Sequence, residues 1–263
     1  MSDRVSCTVA DGVADVRLTR PEKRNALDRA MLTAIIEAVE QVAAERSVRV
    51  AVLSGEGKAF CAGLDTSLFA AMAERSGAPQ PDGIAGSLRV DAVRAVRVWT
   101  ELAVPVIAAV HGVAVGGGFQ LALGADIRIV APDAQLGVFE IKWGIVPDMC
   151  GTQLLPPLVG PDVAKDLMFT ARVVDGTEAK AIGLATRVAD DPRAAALALA
   201  AEIAGRNPDA IKVMKRLVDL AWATPLAEGL RAEQELTEGM IGSANQLEAV
   251  IANLEQRPGN FVD

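Results

Sequence analysis

Two short β-prone runs open the chain, residues 5–10 and 13–19, separated by Asp11-Gly12. Both positions of that dipeptide tolerate positive φ, which a two-residue hairpin turn requires, so the pattern predicts a β-hairpin. Apolar side chains then recur at helical spacing, Leu32, Ile35, Ile36, Val39 and Ala43, behind Asp28. An aspartate just ahead of such a stripe satisfies free amides of the first turn, so a helix capped by Asp28 is predicted, with a strand at 48–53 after it. The rhythm returns as a helix at 90–102, a strand at 106–110, a helix at 118–123 and a strand at 127–130, which is the alternation of an α/β layer fold. Residues 76–86, SGAPQPDGIAG, interrupt it and read as a mobile insert.

Farther along, 151–158, 161–168 and 177–182 read as short helices, and 173–174 and 185–188 as brief strands. From residue 193 onward the pattern is helical. Ile211, Met214, Leu217, Val218 and Ala221 form one apolar stripe and Leu247, Val250, Ile251 and Leu254 another, so this tail is expected to pack against something. The expected division is a core over residues 1–200 and a helical region over 201–263.

At 263 residues and 51% hydrophobic content the chain can bury a large core. A formal net charge of −8, 3% aromatic residues and no tyrosine argue against a nucleic-acid surface, which needs basic patches and stacking platforms. Cys7, Cys61 and Cys150 are odd in number and widely spaced, which fits reduced thiols of a cytoplasmic protein better than disulfides or a zinc knuckle. No basic-then-apolar leader opens the chain, and no apolar run reaches the roughly eighteen residues of a spanning helix, so no membrane partner is expected. His111 is the sole histidine. It rules out a multi-histidine metal site, and between a strand and Gly112 it reads as structural; no metal is expected.

Two glycine-rich connections carry the candidate chemistry. Residues 111–120, HGVAVGGGFQ, place a triple glycine between an apolar strand and a helix start, where backbone N–H groups stand open. The segment is either a tight turn or an anion site. Leu121 breaks the dinucleotide fingerprint, and no phosphate-loop motif occurs anywhere. Residues 54–65, SGEGKAFCAGLD, form a second such connection behind a buried strand, with Asp65 placed to cap a helix starting near Thr66. Two strand-end loops of this kind can each aim one N–H at a common point, the geometry of an oxyanion hole.

LTRPEKRNALD at 18–28, KAFCAGLD at 58–65, HGVAVGGGFQLALGADIRIVAPDAQLGVFEIKWGIVPDMCGTQ at 111–153 and the closing Asn260-Phe261 together resemble the crotonase, or enoyl-CoA hydratase/isomerase, superfamily, in order along the whole chain. The resemblance implies an α/β fold built as a crotonase-type spiral of ββα units with a helical C-terminal trimerisation region, hence a homotrimer or dimer of trimers. It implies an acyl-CoA thioester as substrate, coenzyme A being part of that substrate and not a separate cofactor. The thioester carbonyl would be held by the backbone amides of Leu64 and Gly117, with Gly116 beside them. Coenzyme A would follow the RNALD and AGLD segments, implicating Arg24, Ala26, Ala62 and Leu64, with Asp65 adjoining. Phe261 matches a C-terminal aromatic that reaches the coenzyme A of a neighbouring subunit, whereas Val262 stands where a phosphate-contacting lysine is common.

Hydratases of the superfamily use two glutamates, and here the first position holds Gln120 and the second Glu140. A glutamine neither takes up nor gives up a proton in the working pH range, so paired-carboxylate activation of water is broken. Glu140 follows the apolar stretch 136–139, where partial burial would raise its pKa and suit a base that removes and returns a proton. Asp148 either caps the helix starting near Gly151 or shares the proton, as an aspartate at this offset does in dienoyl-CoA isomerases of the superfamily. The leading expectation is therefore double-bond isomerisation of an enoyl-CoA or dienoyl-CoA through a stabilised enolate. The alternatives are a hydratase or other crotonase reaction that manages with one carboxylate, and a catalytically weak acyl-CoA-binding oligomer.

Overall fold

The structure, a computed structural model, describes residues 3–68 and 84–263. Residues 76–83 of the expected insert lie outside this set, and 84–86 belong to a helix.

Strands β1 (Val5–Ala10) and β2 (Val13–Leu18) pair as the expected antiparallel hairpin, with Asp11 at φ 50° and Gly12 at φ 77°. Helix α1 (Arg29–Ala44) follows, and the Asp28 carboxylate accepts from Met31 N at 2.8 Å as its cap. Then come β3 (Val50–Gly55), α2 (Ile84–Thr100), β4 (Val106–Val110), β5 (Val113–Val115), α3 (Gly117–Leu123), β6 (Ile127–Val130) and β7 (Gln135–Gly137). Short helices α4 (Gly151–Leu154), α5 (Pro156–Val159), α6 (Pro161–Thr170) and α7 (Gly176–Ala181) lead to β8 (Arg187–Val188) and helix α8 (Pro192–Ala204). The single helix expected over 151–158 is split, because Pro156 and Pro157 supply no N–H to continue α4. The strand expected at 173–174 is reduced to a single bridge between Val174 and Leu136.

The main sheet has the order β1-β2-β3-β4-β6-β8, and every pair beyond the first hairpin is parallel. Its central strands are apolar on both faces, as a parallel sheet covered on both sides requires. Ala51 and Leu53 of β3 and Val106, Ala108 and Val110 of β4 face one core with α1 and α2. Val50, Val52, Ile107 and Ala109 face a second core closed by Ala196, Leu199 and Ala200 of α8. Since α8 runs through residue 200, the expected division at that position falls inside a helix of the core.

A second, shorter ladder lies beside the first. Cys61 bridges Ala114 of β5, β5 pairs in parallel with β7, and Leu136 of β7 bridges Val174. Successive turns of chain thus deliver one strand to the main sheet and one segment to the small ladder, the spiral of ββα units that the sequence resemblance implies. The glycine-rich loops leave from the C-terminal ends of the neighbouring strands β3 and β4, where parallel sheets place their ligands.

Helices α9 (Pro208–Ala221), α10 (Leu226–Met240) and α11 (Ala244–Leu254) complete the chain. Lys215 ties α9 to the core through Asp126 at 2.7 Å. The apolar stripes of this region stay in the open: Met214, Val218, Leu247, Val250, Ile251 and Leu254 are all exposed within the single chain.

Candidate active site

Two backbone segments run side by side at the mouth of the loops. Ala62 N donates to Arg24 O at 2.9 Å, Leu27 N to Gly63 O at 2.8 Å and Asp65 N to Leu27 O at 2.9 Å. This parallel pairing uses the Gly63 carbonyl and the Asp65 amide, which turns the N–H of Leu64 to the opposite side. Among the described residues neither Leu64 nor Gly117 donates a backbone hydrogen bond. Their segments adjoin, since a methyl on Gly63 would lie 3.3 Å from Gly117 N. Both open amides therefore come from neighbouring strands of backbone, as a two-donor hole for one oxygen demands.

Gly116 makes the turn from β5 into α3 with φ 54° and ψ −126°, a backbone state that side-chain-bearing residues avoid. Its bare Cα faces the carboxylate, because a methyl there would lie 3.7 Å from Glu140 Oε1. Gly118 is needed for a second reason: its Cα packs on the Cys61 carbonyl, which any Cβ would strike.

Glu140 opens a 3₁₀ turn (Glu140–Trp143) directly beyond β7 and is 5% exposed. That burial, as the apolar stretch before it implies, excludes a solvated glutamate at the strand end. Gln120 on α3 is 1% exposed, and its Nε2 donates to Glu140 Oε1 at 2.6 Å. The Gln120 carbonyl oxygen accepts from Met149 N at 2.9 Å and from Gly151 N at 2.8 Å. Among the described residues, Glu140 Oε2 is buried without a hydrogen-bond partner. Burial pushes the Glu140 carboxyl above its ordinary range and the nearby Asp148 adds to this, against the lowering effect of its hydrogen bonds, including that from Gln120.

Asp148 is exposed and does not cap α4. Cys150 holds the cap position, at φ 69°, and no side chain bonds the first turn. Asp65 is buried, with Oδ2 on Arg20 Nη1 at 2.7 Å and Oδ1 accepting from Ser67 N at 3.0 Å. It therefore caps the short turn at 66–68, and the hydrogen bonds from Ser67 and Arg20 hold its pKa down at about 2. Ala26 is buried, Ala62 half-buried and Arg24 exposed at φ 50°, so the segment expected to line coenzyme A has its one cation on the rim. His111 Nε2 lies 3.0 Å from Gly57 O and clasps the two loops, the structural part expected of it.

Phe261 is not brought to Glu140 of its own chain. Its carbonyl accepts from Arg49 Nη2 at 2.9 Å, and Asp263 pairs with Arg49 Nε at 2.6 Å. Arg49 precedes β3, whereas the site lies beyond the other end of that strand.

Two supports were not singled out from the sequence. Asn25, fully buried at φ 56°, donates from Nδ2 to the carbonyls of Glu56, Ala59 and Phe60 and accepts from Arg20 N. Arg20 gathers Asp65, Asp28 and the Ala26 carbonyl. Asparagine is the non-glycine residue that best tolerates positive φ, and its place between Arg24 and the capped helix was the available signal.

Residues 8–263 match the enoyl-CoA hydratase/isomerase family. The chain is 34% identical over 257 residues to the mitochondrial methylglutaconyl-CoA hydratase of Mus musculus, covering 95% of this chain and 79% of that relative. It is also 34% identical over 261 residues to the mitochondrial enoyl-CoA hydratase domain-containing protein 2 of Bos taurus, covering 95% and 84%. The crystal structure of an enoyl-CoA hydratase from Bacillus anthracis matches with a TM-score of 0.89 at 32% identity, covering 98% of each chain.

Proposed function

The chain belongs to the enoyl-CoA hydratase/isomerase family, and from that premise we propose that it moves a carbon–carbon double bond of an acyl-CoA thioester, with Glu140 carrying the proton. Glu140 Oε2 takes a proton from the carbon next to the thioester carbonyl, the C–H electron pair becomes a double bond to the carbonyl carbon, and the carbonyl π pair moves onto the thioester oxygen. The Leu64 and Gly117 amides hold that oxygen as an enolate. Oε2 then returns the proton to the far carbon, leaving the double bond shifted and the glutamate regenerated. A carboxyl with raised pKa suits both directions of the transfer.

The observation that carries this reading is the bonding of Gln120. Activation of water by a pair of side chains needs two acceptors at the water, and the Gln120 carbonyl is already committed to Met149 N and Gly151 N. Only its amide hydrogens face the site, and one of them is on Glu140. A second reading, hydration with Glu140 alone, is favoured by the names of the relatives, which are hydratases. Pure acyl-CoA binding is the weakest reading, since it gives no reason to keep an unpartnered buried carboxylate oxygen.

Arg24, Ala26, Ala62 and Leu64 are proposed to line coenzyme A, and Phe261 to reach the site of a neighbouring copy. The exposed stripes of α9 and α11 support self-association, as a homotrimer or a dimer of trimers. No helix among the described residues is long and apolar enough to cross a membrane. We place the protein in the cytoplasm, where its three unpaired cysteines would stay reduced. A panel of 2-enoyl-, 3-enoyl- and 3,5-dienoyl-CoA substrates, followed by ultraviolet absorbance and product mass, tests the function. Isomeric product from a 3-enoyl or dienoyl substrate supports it, and no turnover of either overturns it.

A further inference from the structure

We propose that Gln120 is a positioning residue that fixes Glu140 in one orientation, with Oε1 tethered and Oε2 left as the single oxygen that exchanges protons with substrate. A glutamine amide can flip end for end, and here the flip is forbidden. Its carbonyl oxygen accepts from two backbone amides, Met149 N at 2.9 Å and Gly151 N at 2.8 Å, and reversal would set its NH₂ against both donors. Only the NH₂ end can then face Glu140, and it does so at 2.6 Å on Oε1. A carboxylate held on one oxygen by a fixed donor has its other oxygen aimed, and Oε2 is the buried atom without a partner.

The same side chain sets the geometry around the carboxylate. Gln120 lies on the helix that starts with Gly117, and its carbonyl anchors the loop carrying Asp148 and Met149. A methyl on Gly117 would lie 2.9 Å from Met149 Sδ, so that loop closes over the proposed oxyanion donor. Proton carrier, oxyanion donor and Asp148 are therefore all referred to one amide.

The charged surroundings of Glu140 are few. Helix α3 contributes no titratable side chain. On its own turn Lys142 is drawn over the Phe139 ring at 3.4 Å. Asp65 is committed to Arg20 and Ser67. Helix α6, packed against the turn, carries Asp162, Lys165 and Asp166, the last paired with Arg172. Of all these, Asp148 is the one whose charge acts on Glu140. Loss of the Gln120 donor would leave the carboxylate only the backbone amides of Glu140 and Phe139 as stabilising donors among the described residues, which puts the consequence in the titration of Glu140.

Two variants test this in the substrate-free protein, with the Glu140 carboxyl carbon labelled with ¹³C and followed by NMR against pH. Gln120→Met keeps the volume and removes both the donor and the acceptor. Gln120→Glu keeps an acceptor for Met149 N and Gly151 N, and so the fold, but sets a second carboxyl against Oε1. Both should titrate Glu140 at higher pH than wild type, and turnover should fall by roughly 10–10² with a small change in KM, the loss of a well-placed group. Should Gln120→Met not fold, Gln120→Glu decides. An unmoved Glu140 titration in a folded variant, or an effect confined to a lower Tm, overturns the positioning role. Because the titration needs no substrate, it stands or falls separately from the isomerase reading of the site, on which the turnover arm rests.

Discussion

Glu140 is the residue on which the proposed chemistry turns, and its burial has a thermodynamic consequence that can be measured without substrate. Its carboxyl binds a proton more tightly in the folded chain than in the unfolded one. Between the ordinary glutamate pKa and the raised one the folded state therefore holds more protons, and stability falls as pH rises through that window. Glu140→Gln removes the penalty. The variant should be more stable than wild type at neutral pH and equal to it once pH falls below the ordinary glutamate value, read as Tm against pH. Its turnover should drop by roughly 10²–10⁴ while acyl-CoA affinity changes little, because shape is kept and proton transfer is lost. Asp148→Asn separates two roles for the aspartate. Since it caps no helix, the variant's unfolding free energy should stay within about 0.5 kcal/mol of wild type. The Glu140 titration should move to lower pH as the neighbouring charge disappears. A clear loss of stability would return Asp148 to a structural part.

At the scale of elements, the site is made by two loops leaving adjacent parallel strands, and its proposed oxyanion donors belong to backbone. Gly117→Val tests that arrangement without deleting an ionisable group. The new Cβ would meet Met149 Sδ at 2.9 Å and Leu27 Cδ1 at 3.0 Å, both ends of flexible side chains. The variant should therefore fold and lose turnover by at least the roughly 10²–10³ associated with one oxyanion donor. Normal turnover in a folded variant would place the thioester oxygen elsewhere.

The elements themselves were largely legible in the sequence. The hairpin at Asp11-Gly12, the Asp28 cap and the buried β3 and β4 follow local rules of turn, cap and periodicity, and those rules acted unopposed. Boundaries were less legible where tertiary pairing decides, as at Val174, which keeps one bridge of an expected strand. Glu140 and Gln120 stood out as chemistry-bearing residues near a glycine turn. The bonding of Gln120 did not, because it depends on Met149 N and Gly151 N, two backbone amides about thirty residues away that no side-chain pattern encodes. Asn25 was hidden for the same reason, since its partners are carbonyls of a loop more than thirty residues on.

At the scale of the whole molecule, a core complete in one chain carries a helical tail whose apolar side is not covered. Met214, Val218 and Trp222 are 53%, 62% and 76% exposed, and Leu254 on α11 is 77% exposed. Burial of such side chains contributes about 1.5–3 kcal/mol each, so association through this face should be stable at low concentration. Light scattering on wild type should give the mass of a trimer or a multiple of it. The pair Met214→Glu and Val218→Glu should shift it toward monomer without altering the circular dichroism of the core. A monomeric wild type would leave the stripes unexplained and remove Phe261 from any site.

The claim that ties these scales together is that one aimed carboxylate moves a proton and no water is activated. It is tested most directly by incubating wild-type protein with a 3-enoyl-CoA thioester in H₂¹⁸O and following product mass with time. Expected is 2-enoyl-CoA of unchanged mass and without ¹⁸O, formed well before any hydroxylated product. A 3-hydroxyacyl-CoA carrying ¹⁸O and appearing as fast as the isomer would contradict it, and would mean that Glu140 alone activates water.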